Sequence, residues 1–326
     1  MSPLARRLPG GFEADDVPWS GTKKRSGVAA IGWRYFTPPP ALAQPVKTPC
    51  CPLGGGSAIL HCATLLIPAR LGVFDLTCEE RAMSTITTDL DEARRDLAAI
   101  FRWTAREGMH EGIANHFSYA VSDDGQMFLM NPFGIHFSKL KASDMLLVDA
   151  RHLDDEIRPR IDATAWAIHG AMHRNNPQAR CIVHLHSHYA TALSAVKNPV
   201  LPAVDQTTAR FHNRVAIDDG FDGMGLGDEA ERLSTLLGNK MMMMMGNHGF
   251  MTVADSPALA FDLAYHYERG CRTYLTALAS GLELSVLDDE VAEKTASQWE
   301  AYEGAPEKHL AALRSILDEE EPDYRH

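Results

Sequence analysis

The sequence predicts an α/β fold: a three-layer α/β/α sandwich with a mixed, largely antiparallel central sheet. Segments with helical periodicity alternate with short apolar segments, as expected when helices cover both faces of a sheet. Two of the apolar segments flank residues 122–125, Ser-Asp-Asp-Gly, which is a hairpin turn signal and requires an antiparallel pair. The sheet is therefore expected to contain hairpins.

The individual elements follow from local patterns along the chain. Acidic residues open the first helix, and apolar residues recur on one of its sides. Pro257 suits the first turn of a long helix. In chain order we predict a helix at 89–109, strands at 117–121, 126–130 and 145–149, a helix at 162–174, a strand at 180–186, helices at 189–197 and 228–237, strands at 241–245 and 250–253, a helix at 257–279, and a pair of terminal helices within 288–317, followed by an acidic, solvated tail.

The chain divides unevenly at Met83. Residues 1–82 hold four of the six cysteines and ten of the eighteen prolines, with nine Lys/Arg against six Asp/Glu. The rest carries 22 basic and 37 acidic residues. We expect 1–82 to be a disordered leader or a product of start-site choice, with a targeting role as the alternative. A folded domain is predicted over 83–287 and a C-terminal extension over 288–326.

Composition also excludes several kinds of partner. The acidic balance and the lack of a Lys/Arg stripe argue against nucleic acid. We find no apolar stretch long enough to span a membrane. Only Cys181 and Cys271 fall in the predicted folded part, so a disulfide framework is not expected and cytoplasmic residence is predicted.

Three histidines form a candidate metal site. Residues two apart on a strand point to the same side, so His184 and His186 would project together. His248 follows the apolar Met241–Met245 segment, between two glycines that allow a tight turn. Three nitrogen ligands with an open position indicate a catalytic zinc site, and manganese or iron are alternatives. A hydrogen-bonded surface pair remains the competing interpretation of His-x-His.

Five blocks follow one another along the chain: 112–118 (Gly-Ile-Ala-Asn-His-Phe-Ser), 128–134 (Phe-Leu-Met-Asn-Pro-Phe-Gly), 168–174, 184–194 and 247–249. Together these ordered motifs resemble the class II aldolase/adducin family over about residues 90–285. This resemblance implies the same layered fold, a homotetramer with sites between subunits, and a small-molecule substrate. It also implies that His184, His186 and His248 correspond to the metal ligands of the family.

The resemblance implies a set of substrate-binding positions, and this sequence retains the family residue at only some of them. Asn115 and Gly134 match family positions, and Asn131 stands where the aldolases usually have threonine. Thr164 retains one hydroxyl of a serine pair, and Gln206 replaces a tyrosine that reaches a neighbouring site. A weakened phosphate pocket suggests a carboxylate rather than a sugar phosphate.

The family's acid/base glutamate is missing, because the equivalent position is Ala165. Three other residues are candidates for proton transfer: Asp162, His169 and His116. Asp162 lies one helical turn before Ala165, although a helix N-cap is the favoured role for it. A structural, hydrogen-bonded histidine is the alternative for His169. A solvent-facing loop position is the alternative for His116 and for Glu111.

These observations predict a divalent-metal-dependent lyase. It would cleave a carbon–carbon bond of a small oxo- or hydroxy-acid, by retro-aldol reaction or decarboxylation, through a metal-stabilised enolate. One alternative is a catalytically inactive, adducin-like assembly module. The other is an iron-dependent oxygenase on the same fold.

Overall fold

The computed structural model describes residues 84–221, 223 and 228–326. The predicted leader, 1–82, lies outside the described residues. The strands are β1 (His116–Ala120), β2 (Met127–Met130), β3 (Leu146–Asp149), β4 (Cys181–Leu185), β5 (Val215–Asp218), β6 (Met242–Met245) and β7 (Gly249–Ala254). The helices are α1 (Leu90–Arg106), α2 (Ala163–Asn175), α3 (His188–Ser194), α4 (Gln206–Ala209), α5 (Glu229–Leu237), α6 (Pro257–Ala279), α7 (Asp289–Glu300) and α8 (Ala305–Glu320).

The strands form a seven-stranded sheet in the order β3-β2-β1-β4-β7-β6-β5. The pairs β1–β2, β1–β4, β2–β3, β4–β7 and β6–β7 are antiparallel, and β5–β6 is parallel. The predicted mixed, largely antiparallel sheet is confirmed. The central position of β4 matters for the site, because it places the end of β4 between β1 and β7.

Helices pack on both faces of the sheet, which confirms the predicted three layers. One core cluster joins residues of α1, α3, α6 and α8 to one face, and a second joins α2 and α5 to the other. The methionine run shows this alternation directly. Met242 and Met244 belong to the first cluster, whereas Met243 and Met245 belong to the second. The run is a buried strand, as predicted.

One strand was not predicted. β5 is only four residues long and ends in Asp218, so it is too short to show a clear period. It pairs with β6, and the Asp218 carbonyl accepts a hydrogen bond from Gly246 N at 2.7 Å. This contact anchors the turn that follows β6, and that turn carries His248.

The end of the chain also differs from expectation. We predicted a solvated acidic tail, but Tyr324 is fully buried. The buried Arg102 guanidinium binds Glu321 Oε2 at 2.8 Å and Asp323 Oδ2 at 3.0 Å. Glu321 and Asp323 therefore compensate the charge of the buried Arg102 of α1. The expectation of a solvated tail was wrong because these ion pairs link residues that are far apart in the sequence.

The described helices include none that combines the length and the apolar character required to cross a membrane.

Candidate metal centre

His184 lies in β4 and is buried. Its Nδ1–H donates to the backbone carbonyl of Phe250, in the adjacent strand β7, at 3.0 Å. A neutral imidazole carries only one N–H, so Nε2 is left with a free lone pair. Hydrogen bonding of the second ring nitrogen is the usual way in which a protein orients a metal-binding histidine.

His186 is the first residue after the buried strand β4, and its ring is oriented in the same manner. Its Nδ1–H donates to Glu111 Oε2 at 2.7 Å. Nε2 then lies 3.0 Å from Nε2 of His184. The Glu111 carboxylate comes from the loop between α1 and β1, so a residue that the sequence left undecided faces this site.

His248 sits in the turn between β6 and β7. Asn247 has a left-handed conformation, with φ of 55°, and its N–H donates to the Ser194 carbonyl at 2.9 Å. A Cβ on Gly249 would overlap the Leu185 carbonyl oxygen and lie 2.9 Å from Cδ2 of His186. Only glycine fits between this turn and the end of β4, which explains the glycine after His248.

The three imidazoles converge. One ring nitrogen from each of His184, His186 and His248 can be chosen so that all three lie within 4.8 Å of one another. The His248 ring centroid is 4.9 Å from that of His184 and 4.6 Å from that of His186. Tetrahedral zinc, with bonds of about 2.0–2.1 Å to nitrogen, would place such atoms roughly 3.3 Å apart. This donor set fits a divalent cation with one position left for a ligand.

The electrostatic environment favours neutral imidazoles, which are the metal-binding form. Burial, followed by the neighbouring His186, lowers the pKa of His248 to about 4. Burial and four nearby imidazoles also lower the pKa of His184. Both rings are therefore unprotonated at neutral pH.

A second group of imidazoles adjoins the first on the α2 side of the sheet. His116 is the register partner of His184, and their ring centroids are 4.8 Å apart. His116 Nδ1 lies 2.8 Å from His169 Nε2, and His169 Nδ1 lies 2.6 Å from Ser118 Oγ. Ser118 Oγ is also 2.7 Å from His173 Nε2. The predicted residues His116 and His169 are thus adjacent.

Ser118 and His173 were not predicted as site residues from the sequence. Ser118 lies on β1 and His173 on α2, so no sequence spacing links them. A signal did exist, because His169 and His173 are four residues apart and share one helical face. His116, Ser118, His169 and His173 are all buried.

Asp162 is the N-cap of α2. Its Oδ1 accepts hydrogen bonds from Thr164 N at 2.8 Å, Thr164 Oγ1 at 2.6 Å and Ala165 N at 3.1 Å. Burial raises the pKa of Asp162, but these hydrogen bonds outweigh it and lower the pKa overall. The hydroxyl of Thr164 is therefore directed to the cap.

The two asparagines flank β1. Asn115 Oδ1 accepts from Glu111 N at 2.7 Å, while its buried Nδ2 has no hydrogen-bond partner among the described residues. Asn131 Oδ1 accepts from Phe117 N at 3.0 Å, which fixes the backbone next to His116. Gly134 has φ of 89°, a conformation that favours glycine.

Gln206 stands apart from this group. It is the first residue of α4, and its carbonyl accepts from Trp299 Nε1 at 3.2 Å. Within the described part of one chain, no hydrogen bond or ring contact joins it to the imidazoles. Its predicted role at a neighbouring site stays a prediction.

Residues 95–275 match the family model described as Class II Aldolase and Adducin N-terminal domain. A putative aldolase class 2 protein of Caulobacter vibrioides is 32% identical over 204 residues, which cover 62% of this chain and 79% of that protein. Decarboxylase NovR of Streptomyces niveus is 28% identical over 227 residues, covering 66% of this chain and 82% of the relative.

A crystal structure of an aldolase II superfamily protein from Pseudomonas syringae is similar to this chain, with a TM-score of 0.68 and 31% identity. The match covers 74% of this chain and 98% of that one. Residues 95–275, which match the family model, include the strands β1 to β7 and the three histidines.

Proposed function

Because the chain belongs to the class II aldolase and adducin family, we propose that it is a divalent-metal-dependent lyase. Its substrate is a small oxo- or hydroxy-acid, in which it cleaves a carbon–carbon bond. The observation that carries this proposal is the convergence of His184, His186 and His248. A structural metal would have all of its positions filled by the protein, whereas three ligands leave room for a substrate.

Zinc is the proposed metal, because three neutral imidazoles suit zinc and the 3.0 Å between Nε2 of His184 and Nε2 of His186 is close to tetrahedral spacing. When bound, the cation would polarise a substrate carbonyl and stabilise the charge of an enolate. The protein contributes the orientation of its ligands through Phe250 and Glu111. Fixed ligands reduce the reorganisation needed when a substrate binds.

Asn115 supports an acid as the substrate. Its Nδ2 is a buried donor, and a buried donor without an acceptor costs free energy. A carboxylate oxygen of the substrate would supply that acceptor. The hydroxyl of Thr164 donates to Asp162, so the first turn of α2 offers one group fewer for a phosphate.

Two cleavage reactions are compatible with the remaining residues. In a retro-aldol reaction, a hydroxyl loses its proton while the carbon–carbon electron pair moves to the enolate carbon, which is protonated later. In decarboxylation, the pair left by carbon dioxide moves to the same position. Ala165 provides no acid/base group, and three donors already bind Asp162 Oδ1. We assign proton handling to His116, the imidazole nearest to the ligands, with His169 behind it.

The proposal includes a homotetramer in the cytoplasm. Phe133 leaves 51% of its surface exposed in the single chain, and a neighbouring subunit would cover it. The free thiols of Cys181 and Cys271 are buried, which suits a reducing compartment. Light scattering on the purified protein measures the assembly, and a monomer would contradict this part.

The decisive test combines metal analysis with a substrate screen. Protein purified without chelator should hold zinc stoichiometrically, and oxo- and hydroxy-acids should be cleaved to carbonyl products or carbon dioxide. His186→Ala should remove both properties, while His188→Ala, on the exposed first turn of α3, should keep both. An apo protein that ignores added metal would favour the assembly module. Iron with oxygen consumption would favour the oxygenase.

A further inference from the structure

A chain of hydrogen bonds starts at the backbone carbonyl of Ala179. The carbonyl oxygen lies 2.6 Å from His173 Nδ1, and because it can only accept, Nδ1 must carry the proton. Burial lowers the pKa of His173 to about 3, so the ring is neutral at neutral pH. A neutral ring with its proton on Nδ1 has a lone pair on Nε2.

The polarity of the next links follows from this one carbonyl. Ser118 Oγ lies 2.7 Å from His173 Nε2 and must donate its only hydrogen there. The hydroxyl oxygen then accepts from His169 Nδ1–H at 2.6 Å. His169 is neutral as well, since burial lowers its pKa well below the usual value. Its Nε2 therefore accepts from His116 Nδ1–H at 2.8 Å.

The opposite polarity is excluded by the same contact. If every proton were reversed, His173 Nδ1 would present a lone pair to the lone pairs of the Ala179 oxygen across 2.6 Å. A buried contact of that kind loses a hydrogen bond and adds repulsion. The arrangement thus has one low-energy direction, which runs from His116 to Ala179.

The series of hydrogen bonds ends at the His116 ring, whose second nitrogen is Nε2. This nitrogen has no hydrogen-bond partner in the described part of the molecule. His116 is directly opposite His184 in the sheet, so the two side chains project from the same face. Because Nδ1 carries the proton that His116 donates to His169, Nε2 of the neutral ring presents a lone pair.

We infer that Ser118, His169 and His173 are positioning residues that hold His116 as the Nδ1–H tautomer, so that its Nε2 accepts a hydrogen bond from a substrate hydroxyl. This inference rests on the proposed function, because it concerns the ligand of the same centre. A carboxylate or ketone oxygen cannot pair with Nε2, since neither has a hydrogen to donate. The preferred substrate is therefore a hydroxy-acid, which favours retro-aldol cleavage over simple decarboxylation.

The tautomers can be measured without metal or substrate. Long-range ¹H–¹⁵N spectra of ¹⁵N-histidine-labelled apo protein distinguish Nδ1–H from Nε2–H rings, and single His→Gln variants assign the signals. His116, His169 and His173 should all be Nδ1–H at neutral pH. Ser118→Ala should release His169 and His116 but not His173, which keeps the Ala179 carbonyl. An Nε2–H signal from any of the three in the unmodified protein overturns the inference.

Thr104→Val is the matched control. Thr104 is fully buried, and its hydroxyl donates only to the Ile100 carbonyl within α1, at 2.7 Å. Removing it should leave all three tautomers unchanged. A change equal to that of Ser118→Ala would mean that the spectra report general loosening of the core.

Ligand binding tests the role of Nε2. Zinc-loaded protein should bind 3-hydroxypropanoate about fivefold more tightly than propanoate by calorimetry, as expected for one neutral hydrogen bond. Ser118→Ala should reduce this preference towards unity, and Thr104→Val should preserve it. Equal affinities in the unmodified protein, or no binding of either acid, would overturn the assignment to a hydroxyl.

The proposed lyase activity and the inferred tautomers can be disproved independently of each other. If the protein takes up no metal, the proposed lyase is wrong, yet the apo spectra still decide the tautomers. If metal binds and cleavage occurs but His116 is Nε2–H, the lyase stands and the positioning chain is wrong.

Discussion

The Nε2 atoms of His184 and His186 lie 3.0 Å apart, although both rings already donate their Nδ1 protons to oxygen atoms of Phe250 and Glu111. Neither Nε2 can then donate to the other while the rings are neutral. Two lone pairs facing each other repel, and a cation between them converts the repulsion into two bonds. The protein framework thus holds these nitrogen atoms in an arrangement that a divalent metal would stabilise.

Replacing His186 by alanine should abolish stoichiometric zinc binding. The residue is just beyond β4, so its removal leaves the sheet intact while only two ligands remain. Zinc content after gel filtration measures the loss, and circular dichroism measures the fold. His188→Ala is the control, because the described structure has no contact of its ring with the three ligands. Full zinc occupancy in the His186 variant would contradict the assignment.

Glu111 should control metal affinity without touching the metal. Its carboxylate orients His186, and removal of such a partner usually costs about 10–100-fold in affinity. We expect a loss of that size for Glu111→Ala and a smaller one for Glu111→Gln, which keeps an acceptor but not the charge. Competition with a fluorescent zinc chelator gives the affinities.

The control for this series is Glu107→Gln, an exposed carboxylate at the end of α1. Its affinity for zinc should equal that of the unmodified protein. Equal affinities for all three Glu111 forms would show that His186 does not need this partner.

Gly249 should be intolerant of any side chain. A Cβ there would overlap the Leu185 carbonyl and press on the His186 ring, so Gly249→Ala should cost about 3 kcal/mol in the free energy of unfolding. Zinc affinity should fall too, because His186 must move. Urea unfolding of the apo protein measures the first effect.

Gly170→Ala provides the comparison. Gly170 lies inside α2, where a Cβ would approach only the mobile end of Arg174, at 3.2 Å, and Ala150 Cβ, at 3.6 Å. Alanine favours helix over glycine by up to about 1 kcal/mol, so this variant should match or exceed the stability of the unmodified protein. If both variants were equally stable, the close approach at Gly249 would have no energetic importance.

The apo protein should lose stability as the pH falls from about 6.5 towards 4. Folding lowers the pKa of the buried imidazoles, so the unfolded chain binds more protons than the folded chain in this range. Each fully responsive imidazole contributes a slope of about 1.4 kcal/mol per pH unit. The groups concerned are His116, His169, His173, His184 and His248.

Urea unfolding at pH 7 and pH 5, with chelator present, checks this expectation. The contribution of these imidazoles to the free energy of unfolding should be fully present above pH 6.5. The stability of the His173→Gln variant should depend less steeply on pH, because this variant has one titrating group fewer. A stability that is constant or higher at pH 5 would contradict the lowered pKa values.

Local patterns were enough to predict most elements, and the three imidazoles that they selected as candidate metal ligands lie together in the structure. The caps of α1, α2 and α6, the hairpin turn and the methionine strand are properties of neighbouring residues, which interact in any context that allows them to fold. His184 and His186 share a face because residues two apart in an extended segment point to the same side. His248 was predicted from the glycines around it, and the structure shows why they are needed.

The sequence by itself determined the family, the layered fold and the choice of three imidazoles. Only the tertiary structure decided which groups orient them: Glu111 on His186, the Phe250 carbonyl on His184, and the series from His116 through Ser118 to Ala179. Strand register and helix packing bring these atoms together, although the spacing of the residues along the sequence follows no helical or strand repeat. The Ala179 carbonyl then sets the direction of the hydrogen bonds from His116 to His173, and it can do so only in the assembled core.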